Sequence, residues 1–287
     1  MIRQQIEKMR KISLTPKEEI PIKDVFNTII LSFSNNKTML DSYMKFEMGE
    51  DFDLETVKKI FQPSSSNLYG SINKPFINDY GRVSENMASY GIVGLKVDLK
   101  IMFKNYLEII KVCLETRNSL IIKPYKKSKT LEFVIAIIND ILIQTNDFNE
   151  IVLTDVELEK EDIDLLLYIG RKTDFNSIQT TKEKLFIGVG QYELLVDEVL
   201  DENLINFAKT QGVKIYQTQE DIYDKINSEG ANYCTAIMSS NKEKIREFLS
   251  RIKSSYVLVN MSPTLVDNVN LFPEQLLKRK TVVILHN

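Results

Sequence analysis

At 287 residues, 43% apolar and 27% charged, the chain is long enough for two modest cores and has an ordinary globular composition. A net charge of −3 argues against nucleic acid or an anionic membrane as the main partner, and two cysteines, Cys113 and Cys234, cannot build a disulfide framework. No apolar run reaches bilayer length, since Leu131 to Ile143 is interrupted by Asn139 and Asp140, and the charged stretch Met1 to Lys11 has no signal-peptide core, so the expected location is the cytoplasm.

In chain order, the pattern first predicts helices. Val25, Phe26, Ile29, Ile30 and Phe33 recur at helical spacing, as do Leu54, Val57, Ile60 and Phe61 after Asp53, whose carboxylate suits an N-cap. Pro63-Ser64-Ser65-Ser66-Asn67, followed by Gly70 and Pro75, reads as a linker. From Asn86, strands and helices alternate. Tyr90 to Val97 is a predicted strand, and Ile101 to Leu114 a helix with Met102, Tyr106, Ile109 and Cys113 on its apolar face. Ser119 to Ile122 is a short strand, followed by a helix that starts near Ser128 and carries Leu131, Val134, Ile138 and Leu142. Further strands are predicted at Ile151 to Leu153, Leu165 to Tyr168, Lys184 to Val189 and Glu193 to Val196.

A shorter α/β unit follows. Asp201 caps a helix through Leu204, Ile205 and Ala208, Val213 to Tyr216 is a strand, and Thr218 caps the next helix. Tyr233 to Met238 is a strand, Ser240 with Glu243 reads as a capping box, and Tyr256 to Val259 is the last strand of the unit. Thr281 to Leu285 is β-branched and apolar, a strand that needs a partner within the subunit or across an interface. The alternation predicts an α/β fold with a largely parallel sheet covered on both faces. The chain divides into a helical section at 1–75, a nucleotide-binding-type α/β domain at 76–200, the second unit at 201–265 and a tail with a terminal strand at 266–287.

Gly230-Ala231-Asn232-Tyr233-Cys234-Thr235-Ala236-Ile237, a helix ending Phe248-Leu249, and Ser255-Tyr256-Val257-Leu258-Val259-Asn260 form a strand–helix–strand. It resembles a late segment of the aldehyde dehydrogenase superfamily, most of all glutamate-5-semialdehyde dehydrogenase (gamma-glutamyl phosphate reductase). Upstream, Tyr90-Gly91-Ile92-Val93-Gly94 is similar to the first core strand of that family. Arg117-Asn118-Ser119-Leu120-Ile121-Ile122-Lys123-Pro124 is similar to the strand that reaches the cofactor's adenosine ribose. Ile163-Asp164-Leu165-Leu166 with Gly170-Arg171 resembles the glycine turn beside the nicotinamide end, and Glu193 to Asp197 the last strand before the catalytic half. The resemblance covers most of Asn86 to Asn260. It implies an aldehyde-dehydrogenase-like architecture: a Rossmann-type parallel-sheet domain plus a reduced second α/β domain. It further implies NADP or NAD as cofactor, with Lys123 donating to ribose hydroxyls, Gly170 and Arg171 at the cofactor turn, and no metal. Family members assemble by β-strand arms, which implies a homodimer, or pairing with an active paralogue, through Thr281 to Leu285.

The departures from the family decide the functional expectation. Ala208-Lys209-Thr210-Gln211 is similar to the segment that leads into the nucleophilic cysteine, but Gly212-Val213-Lys214-Ile215 follows and no cysteine does. Thr218 to Asn227 already resembles the helix beyond, and Val266 to Phe272 also looks shortened, so 201–265 reads as a truncated catalytic domain. Without the thiolate, the covalent intermediate of the family's chemistry has no attachment point. The expectation is a catalytically inactive relative that acts by binding a dinucleotide, a protein partner or both, in a regulatory or scaffold role. The alternative is an NADP-dependent oxidoreductase for an aldehyde or acyl phosphate such as glutamate-5-semialdehyde, with Cys234 as an improvised nucleophile. Cys234 lies inside a strand, and the single histidine, His286, is far along the chain. Tyr125, Lys126 and Lys127 follow Lys123, which suits either a 2′-phosphate or a solvated basic loop. Only one glycine stands at Gly170-Arg171-Lys172, where close approach of a phosphate wants several. The acidic pairs Asp197 with Glu198 and Glu157 with Glu159 lack histidine or cysteine company and read as solvated faces.

Overall fold

A computed structural model describes residues 2–13, 21–63, 76–78, 81–145, 149–180, 182–187, 192–210, 213–217, 222–228, 234–254, 256–266 and 271–285. Helices α1 (Ile2–Ser13), α2 (Ile22–Asn35), α3 (Lys37–Met48) and α4 (Leu54–Ile60) come first. The predicted stripe of α2 is buried, with Phe26 edge-on to Phe61 at 5.4 Å and Phe33 edge-on to Phe52 at 5.9 Å. Asp53 caps α4 as expected, its Oδ1 accepting from the Glu55 and Thr56 amides at 3.0 and 3.1 Å.

Next come β1 (Phe76–Asn78), β2 (Gly81–Ser89), β3 (Ile92–Val97), α5 (Phe103–Glu115), β4 (Ser119–Lys123), α6 (Lys129–Gln144) and β5 (Ile151–Leu153). A 3-10 turn at Leu158–Lys160 leads to β6 (Leu165–Ile169), α7 (Lys172–Ser177) and β7 (Glu183–Phe186). Strands β3 to β7 form a five-stranded parallel sheet in the order β5-β4-β3-β6-β7. Alternation along each strand gives the sheet two apolar faces. Val93, Leu95, Leu120, Ile122, Leu165 and Leu167 pack with α5 and α6, while Ile92, Ile121 and Leu166 pack with Ile6 and Met9 of α1. Arg10 fastens α1 there, with Nε 2.9 Å from Asp162 Oδ2 and both terminal nitrogens 3.3 Å from Asp164 Oδ1.

The second layer comprises β8 (Tyr192–Val196), α8 (Glu202–Thr210), β9 (Lys214–Gln217), α9 (Ile222–Ser228), β10 (Cys234–Met238), α10 (Lys242–Arg251) and β11 (Tyr256–Val259). Its four strands are parallel in the order β11-β10-β8-β9. A domain boundary at 200 would leave Tyr192–Val196 with the first sheet. Instead β8 is hydrogen-bonded between β9 and β10 and buried along its length, the position its unbroken apolar run Leu194-Leu195-Val196 suits. Asp201 caps α8 as expected. At α10 the cap is Asn241, whose Oδ1 accepts from the Glu243 and Lys244 amides at 2.9 and 3.3 Å. The expected cap, Ser240, is taken by Glu198, to which its hydroxyl donates. Thr218 and Gly230 to Tyr233 lie outside the described residues.

Finally β12 (Leu277–Leu285) runs antiparallel to β2 from Leu277↔Ser89 to Leu285↔Gly81, with β1 on the far side of β2. The expected strand at Thr281 to Leu285 thus has its partner within the chain, and it begins four residues earlier than its apolar run suggests. Among the described residues no helix is long and apolar enough to cross a membrane.

Candidate functional site

In an open parallel sheet, ligands bind at the carboxyl ends of the strands, where the strand order reverses. Here the order reverses at β3, whose neighbours β4 and β6 lead to opposite edges. Register brings Lys123 of β4, Lys96 of β3, Tyr168 of β6 and Phe186 of β7 into one row across these ends. The row shares a face with Ile92, Gly94 and Ile121, because residues two apart on a strand point the same way. Helix α1 covers the amino-terminal part of that face.

Charges meet in this row. Lys96 Nζ lies 2.5 Å from Glu159 Oε1, 3.1 Å from Glu157 Oε2 and 3.6 Å from Asp98 Oδ2. Lys123 donates to the other oxygen of Glu157. Burial alone would lower the Lys96 ammonium, but its bonds to Glu159 and Glu157 outweigh that and hold it above the usual lysine range. The bond from Lys123, reinforced by Lys96, holds the Glu157 carboxyl down at about 2. The expectation of a solvated face for Glu157 and Glu159 is therefore corrected, since Glu159 is shielded and both engage lysines at the sheet edge. Sequence reasoning missed Lys96, Asp98 and Tyr168. The available signal was a lysine two residues after Gly94 at the end of the first parallel strand, in step with the face of Ile92.

Gly170 follows β6, and the Tyr168 phenol lies over it. A Cβ on Gly170 would come 2.2 Å from the Tyr168 hydroxyl, so the space the glycine opens is filled from within. Phe175 packs on Tyr168 at 5.9 Å and on Phe186 at 5.5 Å, closing the row from above. Among the described residues no acceptor meets the buried Tyr168 hydroxyl in good hydrogen-bond geometry, Asp98 being the nearest candidate, and burial, with the Asp98 carboxylate next, raises the phenol above its ordinary range. Arg171 is exposed at the start of α7. The structure thus brings Lys123 and Gly170 to the same sheet edge and leaves Arg171 on its rim.

Cys234 lies in the second sheet, in register with Tyr192 and Tyr256, away from this row. Its layer has a polar edge of its own, where Asp197 accepts from Ser239 Oγ at 2.8 Å and from Lys244. Asp197 is thus a buried hydrogen-bonded acid, not part of a solvated face. A cleft of about 470 Å³ between α4 and α5 is lined by Lys59, Lys104, Glu108, Lys111 and Leu271. Its lysines are interspersed with acid, and Lys111 is tied to Glu115 at 2.8 Å. Among the described residues no group of His, Cys, Asp and Glu is arranged to hold a metal ion.

Lys96 and Lys123, at the ends of adjacent strands, are chemically suited to a phosphate or ribose. Both are engaged by internal carboxylates, and the approach to Gly170 is taken by Tyr168.

No protein-family model matches the chain, and no curated protein matches it by sequence. Solved structures do match in shape. Gamma-glutamyl phosphate reductase from Saccharomyces cerevisiae aligns over 99% of this chain and 97% of its own, with 15% identity and a TM-score of 0.57. The Thermotoga maritima gamma-glutamyl phosphate reductase aligns over 97% and 98%, with 12% identity and a TM-score of 0.56. A glyceraldehyde-3-phosphate dehydrogenase from Methanocaldococcus jannaschii, solved with NADP, aligns over 98% and 93%, with 12% identity and a TM-score of 0.63. At these identities the likeness establishes the fold, and it is the aldehyde dehydrogenase fold that the sequence resemblance implied.

Proposed function

We propose that this is a catalytically inactive protein on the aldehyde dehydrogenase fold that acts by binding, in a regulatory or scaffold role. Its ligands are a dinucleotide, NADP or NAD, at the sheet edge of Lys123, with Arg171 on the rim and Gly170 reached only past Tyr168, a protein partner, or both. The observation that carries the reading is the state of the thiols. Cys113 and Cys234 are the chain's two cysteines, and they are 1% and 0% exposed. Burial pushes both thiols up, that of Cys234 to about 12, so neither supplies a thiolate at neutral pH. The connection from α8 to β9 adds support, since between Thr210 and Lys214 it has room for Gln211, Gly212 and Val213 alone. That is where the family segment for the nucleophile would follow, and we read it as deleted. The protein partner is a second copy or a related active subunit meeting the chain along β12.

Alkylation of the native protein tests the first half. Cys234 is expected to stay unmodified until denaturant is added, and modification within seconds in the native state would remove the basis for inactivity. Calorimetric titration with NADP⁺, NADPH, NAD⁺ and NADH, repeated on Lys123→Ala, tests the second. The expected result is micromolar binding weakened about tenfold or more in the variant, the loss of one charge-assisted bond.

The second reading is NADP-dependent reduction of an aldehyde or acyl phosphate such as glutamate-5-semialdehyde. It draws on the names of the structural neighbours, gamma-glutamyl phosphate reductases and an NADP-bound dehydrogenase. It requires Cys234 to act as the nucleophile, so fast native alkylation that abolishes turnover would favour it.

A further inference from the structure

The shielding in the charged row is uneven. The two lysine side chains are nearly covered, Lys96 at 13% and Lys123 at 19% exposure, while the Glu157 side chain that bridges them is 52% exposed. Glu157 is anchored at one end only. Behind it Leu158 is fully buried in the cluster under α1, and ahead of it Thr154 Oγ1 accepts from the Val156 amide at 3.1 Å in an exposed turn. Its carboxylate therefore sits on the solvent side of two ammonium groups at the point where the strand order reverses. An anionic ligand approaching that crevice would meet the same two donors. The remaining acids of the row belong to Lys96: Glu159 at 2.5 Å, with a side chain 14% exposed, and Asp98 at 3.6 Å. Asp98, Glu157 and Glu159 give three carboxylates against two ammonium groups, so the crevice repels a phosphate while Glu157 is in place and becomes balanced when it swings out.

We propose that Glu157 is a built-in competitor, an internal carboxylate that occupies the Lys96–Lys123 pair and must be displaced before a phosphate-bearing ligand can bind there. The inference rests on the crevice being a dinucleotide site, and it adds the regulation of that site. Anything that draws the Val156-Glu157 turn outward, such as a protein partner contacting its exposed face, opens the crevice. The half-exposed carboxylate makes Glu157→Gln a mild change for folding, and a thermal melt matching that of the unaltered chain is the control.

The experiment is calorimetric titration of the full chain with NADPH, comparing the unaltered protein, Glu157→Gln, and Glu157→Gln combined with Lys123→Ala. The expected result is binding at least about tenfold tighter in Glu157→Gln, the value of freeing one charge-assisted bond, with the gain lost in the double variant. Equal binding by the unaltered chain and Glu157→Gln would overturn the competitor and leave the dinucleotide reading standing. A gain that persists in the double variant would overturn the assignment to this lysine pair. No binding by any of the three proteins would overturn the dinucleotide reading, and the competitor with it.

Discussion

A methyl group on Gly170 would lie 2.2 Å from the Tyr168 hydroxyl oxygen and 2.4 Å from Cζ, distances that no packed side chain tolerates. Phe175 packs on Tyr168, and Phe186 packs on Phe175 behind it, which hinders Tyr168 from swinging clear. Gly170→Ala is therefore expected to cost roughly 1–3 kcal/mol, the usual range for overpacking, read as a lowered denaturation midpoint. Tyr168→Phe removes a buried hydroxyl that has no well-formed hydrogen bond among the described residues, so stability should hold or rise by about 1 kcal/mol. A clear loss in that variant would mean that Asp98 accepts from the phenol. The sequence made the glycine conspicuous but not its reason. A glycine after a parallel strand reads as room for a ligand, and only the register of Lys96 with Tyr168 reveals that the room is taken. Cys113 is the opposite case: its place on an apolar helix face marked it as core, and it is buried.

Helix α6 begins against a carboxylate from another helix. Glu47 of α3 accepts from Ser128 Oγ at 2.7 Å, Thr130 Oγ1 at 2.8 Å and the amides of Lys129 and Thr130 at 2.5 and 3.2 Å. Burial pushes Glu47 up, but these bonds outweigh it and hold its carboxyl below the usual range. A lowered folded-state value means that the contribution is fully present above the ordinary glutamate pKa and is lost as pH falls through the folded value. Glu47→Gln should cost about 1 kcal/mol at neutral pH, with allowance for its part exposure, and the gap from the unaltered chain should close below about pH 4. Urea melts at both pH values check the sign, since a gap that widened in acid would contradict it. Ser128 was legible as the cap, and its Oγ accepts from Leu131 N at 3.1 Å, but nothing local announces a partner eighty-odd residues away. Helix α1 depends in the same way on distant groups, burying Ile6 and Met9 on the sheet and pairing Arg10 with Asp162 and Asp164. Met9→Ala should cost about 2 kcal/mol or more, and hydrogen exchange should show α1 amides losing protection before those of the parallel sheet. Equal loss across both would make α1 an inseparable part of the sheet domain.

At the level of the whole molecule, the alternation of strands and helices was enough to predict an α/β fold, because parallel strands buried on both faces read as unbroken apolar runs. Strand membership was not legible in the same way. The run Glu193 to Val196 has the same local character whichever sheet it joins, and long-range pairing put it between β9 and β10. Strand β2, Gly81–Ser89, left almost no trace, since its Ser, Glu and Asn residues have little strand preference and its existence depends on β1 and β12. Proline placed in turn at Val282 and Val283 tests that dependence. Amides alternate along an antiparallel strand, so one of the two substitutions removes a ladder donor facing β2 and should lower the denaturation midpoint much further than the other. Equal small effects would mean that the pairing adds little to stability. The same pairing has a consequence for biosynthesis. Strand β2 is made before either parallel sheet, and β12 after both, so during translation β2 emerges from the ribosome long before its nine-residue partner exists. Both sheets can close while it waits, one edge held, among the described residues, by the three residues of β1. Chains stalled late in synthesis would therefore expose that edge to other chains, which makes the last step of assembly the one most open to chaperones and to aggregation.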